Sequence, residues 1–341
     1  MPTLLILIAT ASALLTMNNS ESAAYPKTEI SNGLIRADIY LPDGQHGFYR
    51  GTRFDWSGVI YRLEAGGHNY YGPWFNRTAQ DVHDFIYDGP DIVAGPCSAS
   101  AGPVNEFAPV GYDEAKAGGT FLKIGVGLLR RDSAEPYDNY HLYELANGGK
   151  WGVHHDAAQI VFVQDMHDEA SGFGYVYEKQ LTLTNGKAEM VMTHRLRNIG
   201  KRAIDTTVYN HNFLVLDGQA PGPGLTISTP FNIRQPSEIK RPDLAAVRGQ
   251  QILYTKELSG HDTFAMPVEG FGAGAGDNSF RIESRAAGAG MRAHTDKPLL
   301  RESLWSIRTV VAVEPFIRIQ VAPGSEFDWT TTYTYYQLEK K

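Results

Sequence analysis

Apolar residues in this chain recur at every second position and almost nowhere at the spacing of a helix. Residues 187–197 read Lys-Ala-Glu-Met-Val-Met-Thr-His-Arg-Leu-Arg. Ala188, Met190, Met192 and Leu196 share one face, and Lys187, Glu189, Thr193 and Arg195 share the other. A period of two belongs to extended chain, whose successive side chains point to opposite faces. Similar stretches lie at 33–41, 120–129, 159–164, 175–184, 203–216, 308–321 and 329–338. Turn formers separate them: Pro42-Asp43-Gly44, Asn147-Gly148-Gly149, Asn185-Gly186 and Pro323-Gly324. Asn185-Gly186 between two alternating runs predicts a tight hairpin, because such a turn needs residues that tolerate positive φ. No 3.6-residue stripe is sustained, no repeat of fixed period recurs, and no block of like charge appears. Strands that follow one another without helices pair antiparallel and bury their apolar faces by stacking sheet on sheet. The expected fold is all-β, an antiparallel sandwich. No linker divides the sequence, so residues 25–341 read as a single domain.

Composition narrows the function classes. The 31 Lys and Arg against 38 Asp and Glu leave a formal charge of −7, which supplies no cationic surface for a phosphate backbone, so nucleic acid is not an expected partner. The 18 Tyr, 15 Phe and 5 Trp provide flat apolar rings of the kind that stack on sugars. The single cysteine, Cys97, excludes an intrachain disulfide and a Cys-based zinc site. Leu4 to Met17 is an apolar run of signal-peptide length, followed by Ser22-Ala23-Ala24, although no Lys or Arg precedes it. Residues 1–24 are therefore read as an export signal, with the mature chain periplasmic or secreted. No other run approaches the ~20 apolar residues of a helical span, and no stable membrane insertion is expected after cleavage. Gly270 to Gly276 is glycine-rich, but it opens no helix and lacks a following Lys-Ser/Thr, so it reads as a flexible surface loop rather than a phosphate cradle.

Five residues are candidates for chemistry. In residues 310–321, Val311, Val313, Ile317, Ile319 and Val321 form a continuous apolar face while Glu314, Phe316, Arg318 and Gln320 point the other way. Pro315 lacks an amide hydrogen, so the ladder should be interrupted beside Glu314, as at bulges and edges that re-aim a side chain. A carboxylate so placed is a candidate general base; the plain alternative is a solvated Glu on an open sheet face. Tyr209-Asn210-His211-Asn212-Phe213 puts Tyr209, His211 and Phe213 on one face of a strand. Two Asn residues there go against strand preference, and their amides could orient the imidazole or bind hydroxyls. Arg53 and Trp56 lie in an aromatic-rich segment where the guanidinium could clamp hydroxyls or a carboxylate and the indole could stack on a pyranose; an Arg53–Asp55 surface pair is the alternative. Glu106 sits in a Pro/Gly-rich stretch read as a loop, open to a ligand contact or to solvent. His154 and His155 point to opposite faces if extended, so they are not expected to hold one metal ion. There is no Gly-x-Ser-x-Gly elbow and no Walker loop.

The order of these features resembles the aldose 1-epimerase, or galactose mutarotase-like, superfamily. Arg53 stands in an early Arg-Phe segment. Asn210-His211 is followed by Phe213 and Asp217-Gly218, and Glu314-Pro315 precedes Pro323-Gly324 and a final Thr/Tyr-rich strand. The likeness spans roughly residues 29–338. It implies a supersandwich of large antiparallel sheets with a sugar cleft on a concave face, no cofactor and no metal. It also implies His211 as general acid, Glu314 as general base and Arg53 as an orienting residue. Glu106-Phe107 stands where typical members carry a second His, Asn212 and Leu214 also depart from the usual residues, and the family's substrate-binding Asp has no counterpart. The expected activity is interconversion of sugar anomers, with Arg53, Glu106 and Tyr209 binding hydroxyls and Trp56 or Phe316 stacking on the ring. The expected partner is a mono- or oligosaccharide. Two alternatives stay open: lyase or other glycan-cleaving chemistry using Tyr209, Asn210, His211 and Arg53 on the same fold, and sugar binding without catalysis.

Overall fold

A computed structural model describes residues 25–234 and 240–339. The proposed export signal lies outside the described residues. Two sheets carry the architecture. Ten antiparallel strands form the larger one, in the spatial order Lys150–His155, Gln159–Asp168, Phe173–Leu183, Glu189–Asn198, Glu326–Gln337, Ala289–Thr295, Ser279–Ser284, Leu225–Ser228, Gln251–Tyr254 and Ala245–Arg248. The smaller sheet has five, in the order Thr263–Pro267, Arg301–Ile307, Val310–Val321, Ile204–Phe213 and Gly102–Phe107. A four-stranded sheet and two three-stranded sheets flank these. The all-β, antiparallel expectation holds, apart from one short parallel pairing of Arg77–Thr78 with Asp91–Ala94.

The alternation explains the stacking. Met190, Met192 and Leu196 are buried as the two-residue period requires, while Arg195 between them is exposed. Phe173–Leu183 turns back into Glu189–Asn198 through Asn185-Gly186, with Gly186 at φ 69°, where a Cβ would strain the backbone. In the five-stranded sheet Val311, Val313, Ile317 and Ile319 face the core, against residues such as Met190, Met291 and Leu196 from the ten-stranded sheet. Residues 120–129 are not one strand. Thr120–Lys123 and Gly127–Arg130 form a hairpin that pivots at Gly125, whose φ is 79° and where a Cβ would lie 2.7 Å from the Asp55 side chain.

One buried carboxyl goes against this core. Glu302 is 3% exposed, and among the described residues neither of its oxygens has a hydrogen-bond partner. Burial pushes it up to about 8 from 4.5. The folded protein then holds this proton more tightly than the unfolded chain does. Stability therefore declines as pH rises from about 4.5 to about 8 and levels off above that, a loss on the order of 5 kcal/mol. Glu302→Met is expected to raise Tm by several degrees at pH 9 and by little at pH 4.5. Thermal melts of both proteins at the two pH values check this, and an equal gain at both would show that ionisation of Glu302 is not the cause.

Candidate active site

The outer face of the five-stranded sheet floors a cavity of about 640 Å³, within the range of small-molecule sites. Alternation places Tyr209, His211 and Phe213 there from one strand, Glu314 and Phe316 from the next, and Arg301, Ser303 and Trp305 from the third. Arg53, Trp74, Asp84, Tyr137 and Tyr140 rise around them from the segments that cover the sheet. The five residues expected to act on the sugar or bind its hydroxyls, Arg53, Glu106, Tyr209, His211 and Glu314, all line this one cavity.

His211 and Glu314 meet because of register. The pair Tyr209↔Phe316 and the bridge Leu214↔Val311 belong to one alignment of the two strands, which sets His211 directly opposite Glu314. Between those points the two strands form no ladder pair. Pro315 has no N–H to donate, and the Asn212 amide spans the gap by donating to the carbonyls of Val313 (2.7 Å) and Asn210 (3.1 Å). The interruption expected from Pro315 is thus real on this side, while on the other Pro315 still pairs with Glu302.

Across the gap His211 Nε2 lies 3.2 Å from Glu314 Oε1, and Ser303 Oγ donates to Glu314 Oε2 at 2.8 Å. The imidazole is stacked on Phe213 at 3.7 Å between ring centroids and meets Trp305 and Phe54 edge-on. Among the described residues its Nδ1 has no hydrogen-bond partner. Burial pushes the Glu314 carboxyl up to about 7, against opposing pulls from Ser303 and Arg53. Burial, reinforced by the Arg53 charge, drives His211 well below its ordinary 6.5. Glu314 is therefore not the solvated surface carboxylate of the alternative reading, and its side chain is 14% exposed.

Beside this pair lies a second, charged cluster. Glu106 is on a strand rather than in a loop, and its register partner is Tyr209. Arg53 Nε donates to Glu106 Oε2 at 2.7 Å, and its Nη2 donates to the Tyr209 hydroxyl at 3.2 Å. That hydroxyl in turn donates to Glu106 Oε2. Lys123 Nζ stands 4.0 Å from the other Glu106 oxygen and donates to Tyr137 at 2.8 Å. Burial pushes Glu106 upward, but Arg53, Lys123 and the hydrogen bonds together outweigh it and hold the carboxyl below the usual range. The same burial lowers Lys123 to about 8.

Several expectations need correction. Trp56 does not line the cavity: it is 5% exposed, packed in the core, and its Nε1 donates to Gly51 O. Phe316 does line it, stacked on Tyr209 at 4.1 Å between centroids. Arg53 and Asp55 are not a surface pair: both are buried, and the irregular chain between them sends Arg53 to Glu106 and Asp55 to the buried Lys179. The amides of Asn210 and Asn212 do not reach the imidazole or the cavity; they bind Tyr333 on the facing sheet at 2.7 and 2.8 Å. Asp217 lies apart from the site and accepts from His68 Nδ1 and the Asn69 amide. Cys97 is buried, and burial raises its thiol. Ser303, Arg301, Trp305 and Trp74 were not singled out in the sequence, although the alternation of residues 301–307 was a signal for the first three.

No protein-family model matches the chain, and no curated protein matches it by sequence. Solved structures do resemble it. An aldose epimerase homologue from C. elegans superposes with a TM-score of 0.52 at 14% identity, over 93% of this chain and 100% of the other. A galactose mutarotase-like protein from Lactobacillus casei gives 0.52 at 12% identity, over 91% and 100%. A galactose mutarotase related enzyme from Lactobacillus acidophilus gives 0.50 at 11% identity, over 92% and 100%. With two antiparallel sheets stacked under a cavity and these likenesses along nearly the whole chain, the protein has the galactose mutarotase-like fold.

Proposed function

We propose that the protein is an aldose 1-epimerase-type isomerase that interconverts the anomers of a saccharide. The observation that carries this reading is the His211–Glu314 pair on the floor of an aromatic-lined cavity. Ring opening moves one proton. The hydroxyl on C1 loses its proton, the bond between C1 and the ring oxygen breaks, and the ring oxygen gains a proton; closure on either face reverses these steps. A base and an acid holding one proton between them suffice, and the pair ends each half-reaction with the proton on the other member. The two groups lie 3.2 Å apart on the cavity floor, so a hemiacetal resting against both meets a donor and an acceptor at once. The nearby aromatic faces can hold the ring, and Arg53 keeps N–H groups beyond those used by Glu106 and Tyr209.

Elimination with Tyr209 as base is the weaker reading. Burial and the neighbouring Glu106 raise its hydroxyl well above its usual value, so its proton is held. Asn210, the amide such a site would use to neutralise a uronate, faces the core.

The test is anomer exchange, followed by NMR or polarimetry on freshly dissolved α-sugars across hexoses, pentoses and uronic acids. Acceleration is expected, and its absence across the panel sinks the reading. The pH profile is a sharper check. His211 takes its proton only well below 6.5, while the pair gives up its last proton near 7. Above about 7 no proton remains for the ring oxygen, so kcat/KM should fall by about tenfold per pH unit there. A rate that instead climbs through pH 7 would mean Glu314 acts as base without His211 as its acid.

A further inference from the structure

We propose that the saccharide taken by this site is anionic, carrying a carboxylate or a phosphate or sulfate ester that Arg301 receives. This rests on the epimerase reading for the position of the reacting carbon, but the binding it asserts can be measured without turnover.

The cations of the cavity are not all held by its carboxyl groups. Of its carboxyl groups, Glu106 is taken by Arg53, with Lys123 behind it. Glu314 accepts from Ser303 and lies 3.2 Å from His211 Nε2, and burial pushes it up to about 7. Asp84 accepts from Ser98, and burial raises it. Arg301 and Lys240 also line the cavity, and among the described residues neither forms an ion pair with a carboxylate. Among the described residues the cavity thus holds two cations in no ion pair, Arg301 and Lys240, with the Arg301 charge near enough to Glu314 to pull its carboxyl down, and such cations attract anions.

Arg301 is also held for the task. Its guanidinium lies over the Phe316 ring at 3.7 Å, and Phe316 is its register partner on the next strand. Stacking fixes the plane and leaves the N–H edges free for the fork contact that suits carboxylate, phosphate or sulfate. The next residue on the same face, Ser303, is the register partner of Glu314. An anion on Arg301 is therefore one strand step from the proton-transferring pair. A hexose substituted at C5 or C6 fits that spacing, because C5 bears the ring oxygen that must be protonated when the ring opens.

Calorimetric titration of the intact protein with galactose, glucose, galacturonate, glucuronate, glucose 6-phosphate and galactose 6-sulfate tests the proposal. At least one anionic sugar is expected to bind tenfold or more tightly than its neutral counterpart, with the preference shrinking as salt is added. The uronate and ester arms distinguish the two kinds of anion. Arg301→Gln should reduce the anionic-to-neutral ratio toward one, and Arg301→Lys should keep part of it. Equal or weaker binding of every anionic sugar by the wild-type protein overturns the proposal, whatever the variants do. A wild-type preference that survives intact in a folded Arg301→Gln also overturns it. Fast anomer exchange of neutral hexoses without an anionic preference would sink this inference and leave the epimerase reading standing. Tight, Arg301-dependent binding of an acidic sugar without exchange would do the reverse.

Discussion

Glu314→Gln is expected to lower kcat/KM for anomer exchange by about 10²- to 10⁴-fold, the range for losing a positioned acid or base. Glutamine has nearly the same shape, and its carbonyl oxygen can still accept from Ser303 Oγ, so the floor of the cavity should keep its geometry. What the amide cannot do is take and return a proton. His211→Asn should produce a loss of the same order, because the imidazole is the other holder of the single proton. If the two act as one unit, the double variant should be little worse than either single one. KM should move less than kcat in all three, since aromatic faces and Arg53 remain to bind the sugar. Exchange spectroscopy at pH 6.5 reads these rates; a Glu314→Gln protein that retains a third or more of the parent rate would remove Glu314 from the chemistry.

Asp55→Ala is expected to destabilise the protein by about 3–5 kcal/mol, the cost of leaving a buried charge without its partner. Asp55 and Lys179 are both fully buried, with Lys179 Nζ at 3.3 Å from Asp55 Oδ2. The carboxylate also accepts from Ser57 N at 2.8 Å and from Tyr177 at 3.1 Å. Burial, only partly offset by Asp55, already lowers Lys179, and without that carboxylate the amine should shed its proton. Replacing Lys179 as well, with Met, should recover part of the loss, because an absent pair costs less than a broken one. Urea unfolding of the three proteins checks this, and a single variant within 1 kcal/mol of the parent would show the pair to be dispensable. Asp55 is two residues from Arg53 in the same buried turn-rich segment, so the same variant should also weaken sugar binding by loosening the residue that faces the cavity.

Much of the fold was legible in the sequence because strand burial is a local matter. Met190, Met192 and Leu196 had to share a face whatever they packed against, and the Asn185-Gly186 turn was readable from the φ values it demands. The segment 120–129 was misread for the opposite reason: its pivot at Gly125 packs against the distant Asp55 side chain, which leaves no room for a Cβ there. In the site, Pro315 and the two unusual strand Asn residues were visible signs of a broken ladder. That the Asn212 amide mends it, and that both amides brace Tyr333 on the other sheet, depended on strands far apart along the chain.

The sequence by itself determined that this is an all-β chain, that His211 shares a strand face with Tyr209 and Phe213, and that Glu314 turns away from an apolar face, because a two-residue period is a property of the backbone. Only the tertiary structure decided that the two stand opposite each other, that Arg53 spends itself on Glu106 rather than on Asp55, and that Trp56 belongs to the core. Strand register and burial set those outcomes. Both are long-range, and burial also sets the proton affinities on which the proposed chemistry depends.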